Sequence, residues 1–247
     1  MSVTKNIFER IEKKYYLKED QYNRLIKEIR NRLSPDEYGK STINSLYFDT
    51  EDYRMIRQSI DAKVYKEKLR LRSYGVPDEN STVFLEIKKK YKGIVYKRRV
   101  SMTLCEIHNY IDFGKQPFNS QIMNEIDYLI NFYNKPKPKC LISYEREAYY
   151  CCENPDIRLT FDSDVRYRAD DLLLEHGSRG KNIIENGSKL MEIKTCGAMP
   201  FWLSSTLDRQ NIFPSSFSKY GTAYADMLCK NTCTANNNYT KGELEYA

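Results

Sequence analysis

Glycine is scarce in this sequence, 10 of 247 residues, and its few copies form no phosphate-binding loop. Neither G-x-x-x-x-G-K-[ST] nor G-x-G-x-x-G occurs, which excludes a P-loop and a dinucleotide-binding turn. His108 and His176 are the only histidines and lie far apart, which argues against a histidine-built zinc site or a Ser-His-Asp hydrolase. A hard metal held by carboxylates stays open. The seven cysteines are odd in number and contain no C-x-x-C, and the N-terminal MSVTKNIFER lacks the apolar core of a signal peptide. Together these features predict a cytoplasmic protein with free, mostly buried thiols. No apolar run approaches the roughly 18 residues that cross a bilayer, so the chain is expected to be soluble by itself. Repeats, long linkers and low-complexity blocks are missing too. The chain reads as one domain over 1–231 with a polar tail, 232–247, expected to fray.

What is present is charge. Lys and Arg number 40 against 34 Asp and Glu, a formal net charge of +6. That is too mild for a histone-like binder, so the placement of the cations matters more than their sum. Alternation and turn residues predict strands at Arg10–Leu17, Thr42–Asp49, Tyr65–Tyr74, Thr82–Lys90, Ile94–Met102, Leu141–Tyr150, Ile157–Asp162 and Lys189–Thr195. Helical spacing predicts Glu19–Leu33, stopped by Ser34-Pro35, then Asp52–Ile60 capped by Thr50, Leu104–Ile111, Ser120–Tyr133 and Phe217–Leu228. The forecast is α+β: a large antiparallel sheet or barrel with helices packed outside.

The polar faces of these strands are unusual. In Lys68-Leu69-Arg70-Leu71-Arg72 one face is leucine and the other three consecutive cations. Val83, Leu85 and Ile87 oppose Glu86, Lys88 and Lys90; Lys97 and Arg99 oppose Val100 and Met102. Tyr144 shares a face with Arg146, Arg158 with Thr160 and Asp162, Glu192 with Lys194, and Glu12 with Lys14. A half-solvated sheet explains any one such strand, but a solvated face ordinarily mixes in Thr, Ser and Gln. Cations about 7 Å apart repel by roughly 2–3 kcal/mol per pair at an effective dielectric of about 20. If these faces converge, an anion must sit between them. Arg offers a planar fork and Lys a point charge to phosphate oxygens. Glu12, Glu86, Asp162 and Glu192 would then either hold Mg²⁺ or Mn²⁺ against the phosphates or simply pair with neighbouring Arg.

In order along the chain stand E-x-K-Y from Glu12, S-L-Y-F-D-T from Ser45, K-L-R-L-R-S-Y-G from Lys68, F-L-E-I-K from Phe84 and Y-K-R-R from Tyr96. S-Y-E-R-E-A-Y from Ser143, R-L-T-F-D from Arg158, M-E-I-K from Met191 and F-S-K-Y from Phe217 complete the series. This series resembles the polyphosphate polymerase domain of vacuolar transporter chaperone (VTC) proteins, a branch of the CYTH-like triphosphate tunnel metalloenzymes.

The resemblance implies a closed eight-stranded antiparallel β tunnel that moves the ATP γ-phosphate onto a growing polyphosphate chain with Mn²⁺ or Mg²⁺. It also implies roles. Arg70, Arg72, Lys88, Arg146, Arg158 and Lys219 would be catalytic; Lys14, Lys97, Tyr144 and Ser218 would bind phosphate; Glu192 would hold the metal. Lys194 and Arg99 join the phosphate-binding set because they share the tunnel-facing parity. Two departures stand out: Ser216 replaces the family's basic residue before F-S-K, and neither the phosphate-sensing SPX domain nor the membrane helices of the fungal enzymes is found. A compact bacterial-type member is expected, with any membrane association supplied by a separate partner. Two other readings remain, a triphosphate or tripolyphosphate hydrolase of the same fold and a non-catalytic polyphosphate-binding module. The E-x-K start, where the hydrolases favour a more acidic E-x-E-x-K, weighs against hydrolysis. A nucleic-acid partner is not expected, since a tunnel is too narrow for a duplex. Trp202 reads as core or mouth wall, His108 as helix surface, and Cys151-Cys152 as a strand-end pair.

Overall fold

The structure, a computed structural model, describes residues 11–62, 64–92 and 94–239. Arg10 of the first predicted strand, Gly93 of the predicted turn and residues 240–247 of the tail lie outside these.

Strand β1 (Ile11–Leu17) leads into helix α1 (Glu19–Ile29), whose Leu25 and Ile29 are buried and which tightens into a single 3₁₀ turn, Arg30–Arg32. The helix ends before Ser34-Pro35, as proline requires, but the chain enters strand at once rather than looping: β2 runs Leu33–Asp49. Helix α2 (Arg54–Asp61) follows. Its cap is Asp49 as well as Thr50: the Asp49 carboxylate accepts from the amides of Met55 and Ile56, and the Thr50 hydroxyl from that of Arg54. Next come β3 (Tyr65–Tyr74), β4 (Thr82–Tyr91), β5 (Ile94–Thr103), α3 (Leu104–Phe113) and α4 (Gln121–Phe132). Thr103 with Glu106 forms a capping box at α3, and Ser120 caps α4. Then β6 (Lys137–Cys151), β7 (Arg158–Arg168), β8 (Lys181–Asn182), β9 (Lys189–Thr195), α5 (Phe201–Arg209) and α6 (Lys219–Tyr239) complete the order. Helix α5 was not anticipated, and α6 continues through part of the segment expected to fray.

All ladders are antiparallel, in the order β1-β9-β7-β6-β2-β3-β4-β5, with β8 beside β7. The eight-strand path matches expectation, but no ladder joins β1 to β5 among the described residues. The reason is visible at β1. The Ser215 amide donates to the Lys14 carbonyl at 2.7 Å and Tyr15 bridges Pro214, so the segment before α6 occupies the edge that β5 would need.

Three apolar clusters fix the curvature. One packs Leu69, Leu71, Leu85 and Ile87 under α3 and α4; a second packs Tyr15, Phe161, Met191 and Ile193 under α1 and α5. The third lies on the other side of the sheet, where Tyr220 and Ala223 of α6 meet Tyr47, Ile142 and Tyr144. Helices therefore back the convex face, while α6 enters the concave one. Trp202 packs against the second cluster with the Arg32 guanidinium over its ring, and His108 is on the surface of α3. Of the described cysteines only Cys140 and Cys151 are buried; Cys105, Cys152, Cys196 and Cys229 are exposed, against the expectation of mostly buried thiols. No described helix is long and apolar enough to cross a membrane.

Candidate functional site: a cationic trough

The concave face carries alternate residues of eight strands. Its centre is Glu86, fully buried on β4, which receives Arg70 Nε from β3 at 2.7 Å and lies 2.5 Å from Lys97 Nζ and 3.9 Å from Arg99 on β5. Burial alone would raise the Glu86 carboxyl, but Arg70, Arg72 and Lys97 bring it down to about 2. Across the trough Asp162 of β7 takes a bidentate pair from Arg146 at 2.6 and 2.7 Å and a third donor, Lys219 Nζ, at 2.6 Å. Burial opposes ionisation of Asp162 as well, and Lys219 and Arg146 overcome it.

Convergence is direct. Lys88 of β4 lies 3.7 Å from Glu12 of β1, strands that are not neighbours in the sheet, and Lys14 lies 3.5 Å from the same carboxylate. Burial depresses the Lys88 ammonium, which feels Glu12, Lys14 and Glu192 together. Glu192 pairs with Lys194 at 2.8 Å; despite burial, Lys194 and Lys14 hold its carboxyl far below the usual range. Arg72 donates to the Tyr144 hydroxyl at 3.3 Å. Ser218 accepts from Lys68 Nζ at 3.1 Å and from the Gly221 amide at 3.2 Å, capping α6 inside the trough.

Twelve of the thirteen expected site residues thus meet on one surface: Lys14, Arg70, Arg72, Lys88, Lys97, Arg99, Tyr144, Arg146, Glu192, Lys194, Ser218 and Lys219. Arg158 stands apart at the rim, its side chain 48% exposed and paired with Asp36 of β2 at 3.3 Å. The four carboxylates pair with Arg and Lys rather than with one another, and no three metal-ligating side chains gather among the described residues.

Three participants were not singled out from the sequence. Lys68 had a signal, its parity with Arg70 and Arg72; burial and neighbouring cations bring its ammonium down to about 8. Tyr47 stacks on Tyr220 with ring centroids 4.7 Å apart and accepts from Arg70 at 3.3 Å. Burial would raise its phenol, yet Arg70, Lys68 and Arg72 lower it to about 8. The Thr160 hydroxyl, register partner of Glu192, is buried with no protein partner. Its parity with Arg158 and Asp162 placed it on this face, but nothing in the sequence gave its hydroxyl a role.

The family model of the VTC domain matches residues 9–228. The chain belongs to the VTC domain family. Solved structures place this VTC domain among related folds. An adenylyl cyclase candidate from Hippeastrum with a dominant triphosphatase activity is 16% identical at a TM-score of 0.56, covering 88% of this chain and 96% of that one. An adenylate cyclase candidate from Bacillus halodurans is 15% identical at a TM-score of 0.51, covering 85% and 95%. At such identity the likeness speaks for the fold alone. No curated protein sequence matches.

Proposed function

We propose that this VTC domain extends polyphosphate, transferring the γ-phosphate of ATP to the end of a chain held in the trough. One observation carries the reading: the ten basic residues of the trough, Lys68 included, share one concave surface with only four carboxylates, and Arg158 stands at its rim. The carboxylates mark where these donors converge, and an incoming polyanion would take the donors over. Arg70, Arg72, Lys88 and Arg146 would grip and align the chain, while Lys219 and Ser218 at the start of α6 close on it from the helix N-terminal side.

Phosphoryl transfer rests on positioning and charge neutralisation. A terminal phosphate oxygen attacks the γ-phosphorus, the bond to the β-bridging oxygen breaks, and ADP leaves. That nucleophile is already anionic. Water would need activation by a base or a metal ion, and Glu86, Asp162 and Glu192, all held below the ordinary carboxylate range, are poor bases. A divalent cation fits at Glu192, an ionised carboxylate beside the partnerless Thr160 hydroxyl, because Mg²⁺ commonly takes one or two carboxylates plus phosphate oxygens. Bound there, Mn²⁺ or Mg²⁺ would offset charge on the phosphates.

Hydrolysis is the second reading, favoured by the shared fold of the Hippeastrum triphosphatase. Incubation with ATP and Mn²⁺ separates the two. Chain polyphosphate with ADP is expected; free phosphate alone would replace extension with hydrolysis, and no product would leave a binding module.

A further inference from the structure

The trough changes chemistry along its length. The inward positions of β3 read Lys68, Arg70, Arg72 and then Tyr74; those of β4, taken backwards, read Lys88, Glu86 and then Phe84. Arg72 and Phe84 face each other in register, and the Tyr74 and Phe84 rings meet edge to face, with centroids 5.7 Å apart at 79°. Above them the Arg99 guanidinium lies 3.4 Å from the Phe84 centroid while staying within 3.9 Å of the Glu86 carboxylate. One arginine therefore joins the charged stretch to the aromatic one. Tyr74 is 51% exposed. A single exposed tyrosine is ordinary. An aromatic end placed in series with a cationic run, with a guanidinium plane over one ring, has the order of charge and stacking surface found in a nucleotide.

We propose that this end receives the base of a nucleoside triphosphate whose phosphates lie among Arg72, Arg70 and Lys68, with Tyr74 and the Arg99 guanidinium as stacking partners. The proposal rests on the phosphate-binding reading of the trough. Successive inward positions on a strand are about 6.6 Å apart, so the step from Arg72 to Tyr74 spans about one sugar, the unit between an α-phosphate and its base. Every base has a π face, so stacking on a ring or a guanidinium selects nucleotides over inorganic chains without choosing among bases. It also orients the donor: the base stays at the aromatic end and the γ-phosphate reaches the interior cations. A polyphosphate chain has nothing to gain at Tyr74.

Calorimetric binding of ATP and of inorganic tripolyphosphate to the full chain, as wild type, Tyr74→Ala and Tyr74→Phe, tests this. Tyr74→Ala should weaken ATP by about tenfold, the size of a lost base–aromatic stack, and leave tripolyphosphate unchanged; Tyr74→Phe should keep both. An equal loss of the two ligands, or no loss of ATP, overturns the base site while the phosphate trough stands. If neither ligand binds the wild type, the trough reading itself falls and takes the base site with it.

Discussion

The two faces of β3 and β4 are made from alternate residues of the same strands, yet they are stabilised in opposite ways. Outward, Leu69, Leu71, Leu85 and Ile87 are all at most 2% exposed and pack under α3 and α4. Inward, Arg72 and Glu86 are buried almost as completely. Burial here does not mean apolarity. The outer face is complete by itself, because dispersion and water exclusion need no third party. The inner face is satisfied only by pairing, and with cations well in excess of carboxylates it keeps positive charge for a ligand to neutralise.

Substitutions on each face sharpen the contrast. Arg70→Ala should have the largest effect, since it leaves the buried Glu86 short of a partner; a loss of about 3–5 kcal/mol in denaturant unfolding is expected, together with loss of tripolyphosphate binding. Arg70→Met combined with Glu86→Leu should recover the stability but not the binding, and recovery of both would show that the inner pair has no ligand role. Ile87→Ala, on the outer face, should cost about 2–5 kcal/mol through the cavity it opens and leave tripolyphosphate affinity unchanged. A binding loss there would mean that the two faces are not independent.

Smaller effects follow from pH. The Glu86 carboxyl is lowered from 4.5 to about 2 in the folded protein, so its contribution is fully present above pH 4.5 and fades as pH falls from there toward 2. That contribution is on the order of 3 kcal/mol, and Glu86→Gln should flatten the acid limb of the stability curve by a comparable amount. On the alkaline side Lys68 loses its proton and Tyr47 its own near pH 8, both of which reduce positive charge in the trough. Tripolyphosphate affinity should therefore fall severalfold between pH 7 and 9, and Tyr47→Phe should make the fall shallower. An unchanged slope would remove Tyr47 from the anion site.

Much of this was legible in the chain because alternation is a local property. The strand Tyr65–Tyr74 and the parity of Arg70, Arg72, Lys88 and Lys97 follow from side chains alternating across a strand, whatever the rest of the molecule does. Helix α5 was missed because Phe201–Arg209 carries only a short apolar stripe, Leu203 and Leu207, which gains meaning only against α1 and β9. The early part of β2, from Leu33, was missed because residues 33–40 carry no apolar alternation; its pairing to β6 shifts register between Pro35 and Lys40, and only the partner strand defines it.

The sequence by itself determined which residues share a face, and hence that one face would be cationic, because the period of a strand is set by the backbone alone. Only the tertiary structure decided that Lys88 meets Glu12 across the trough, that each of the four trough carboxylates pairs with Arg or Lys, and that Pro214 and Ser215 take the edge of β1. Those outcomes depend on how the sheet curls and on what competes for each charge and each strand edge. Both are settled between segments far apart in the chain, where local pattern carries no information.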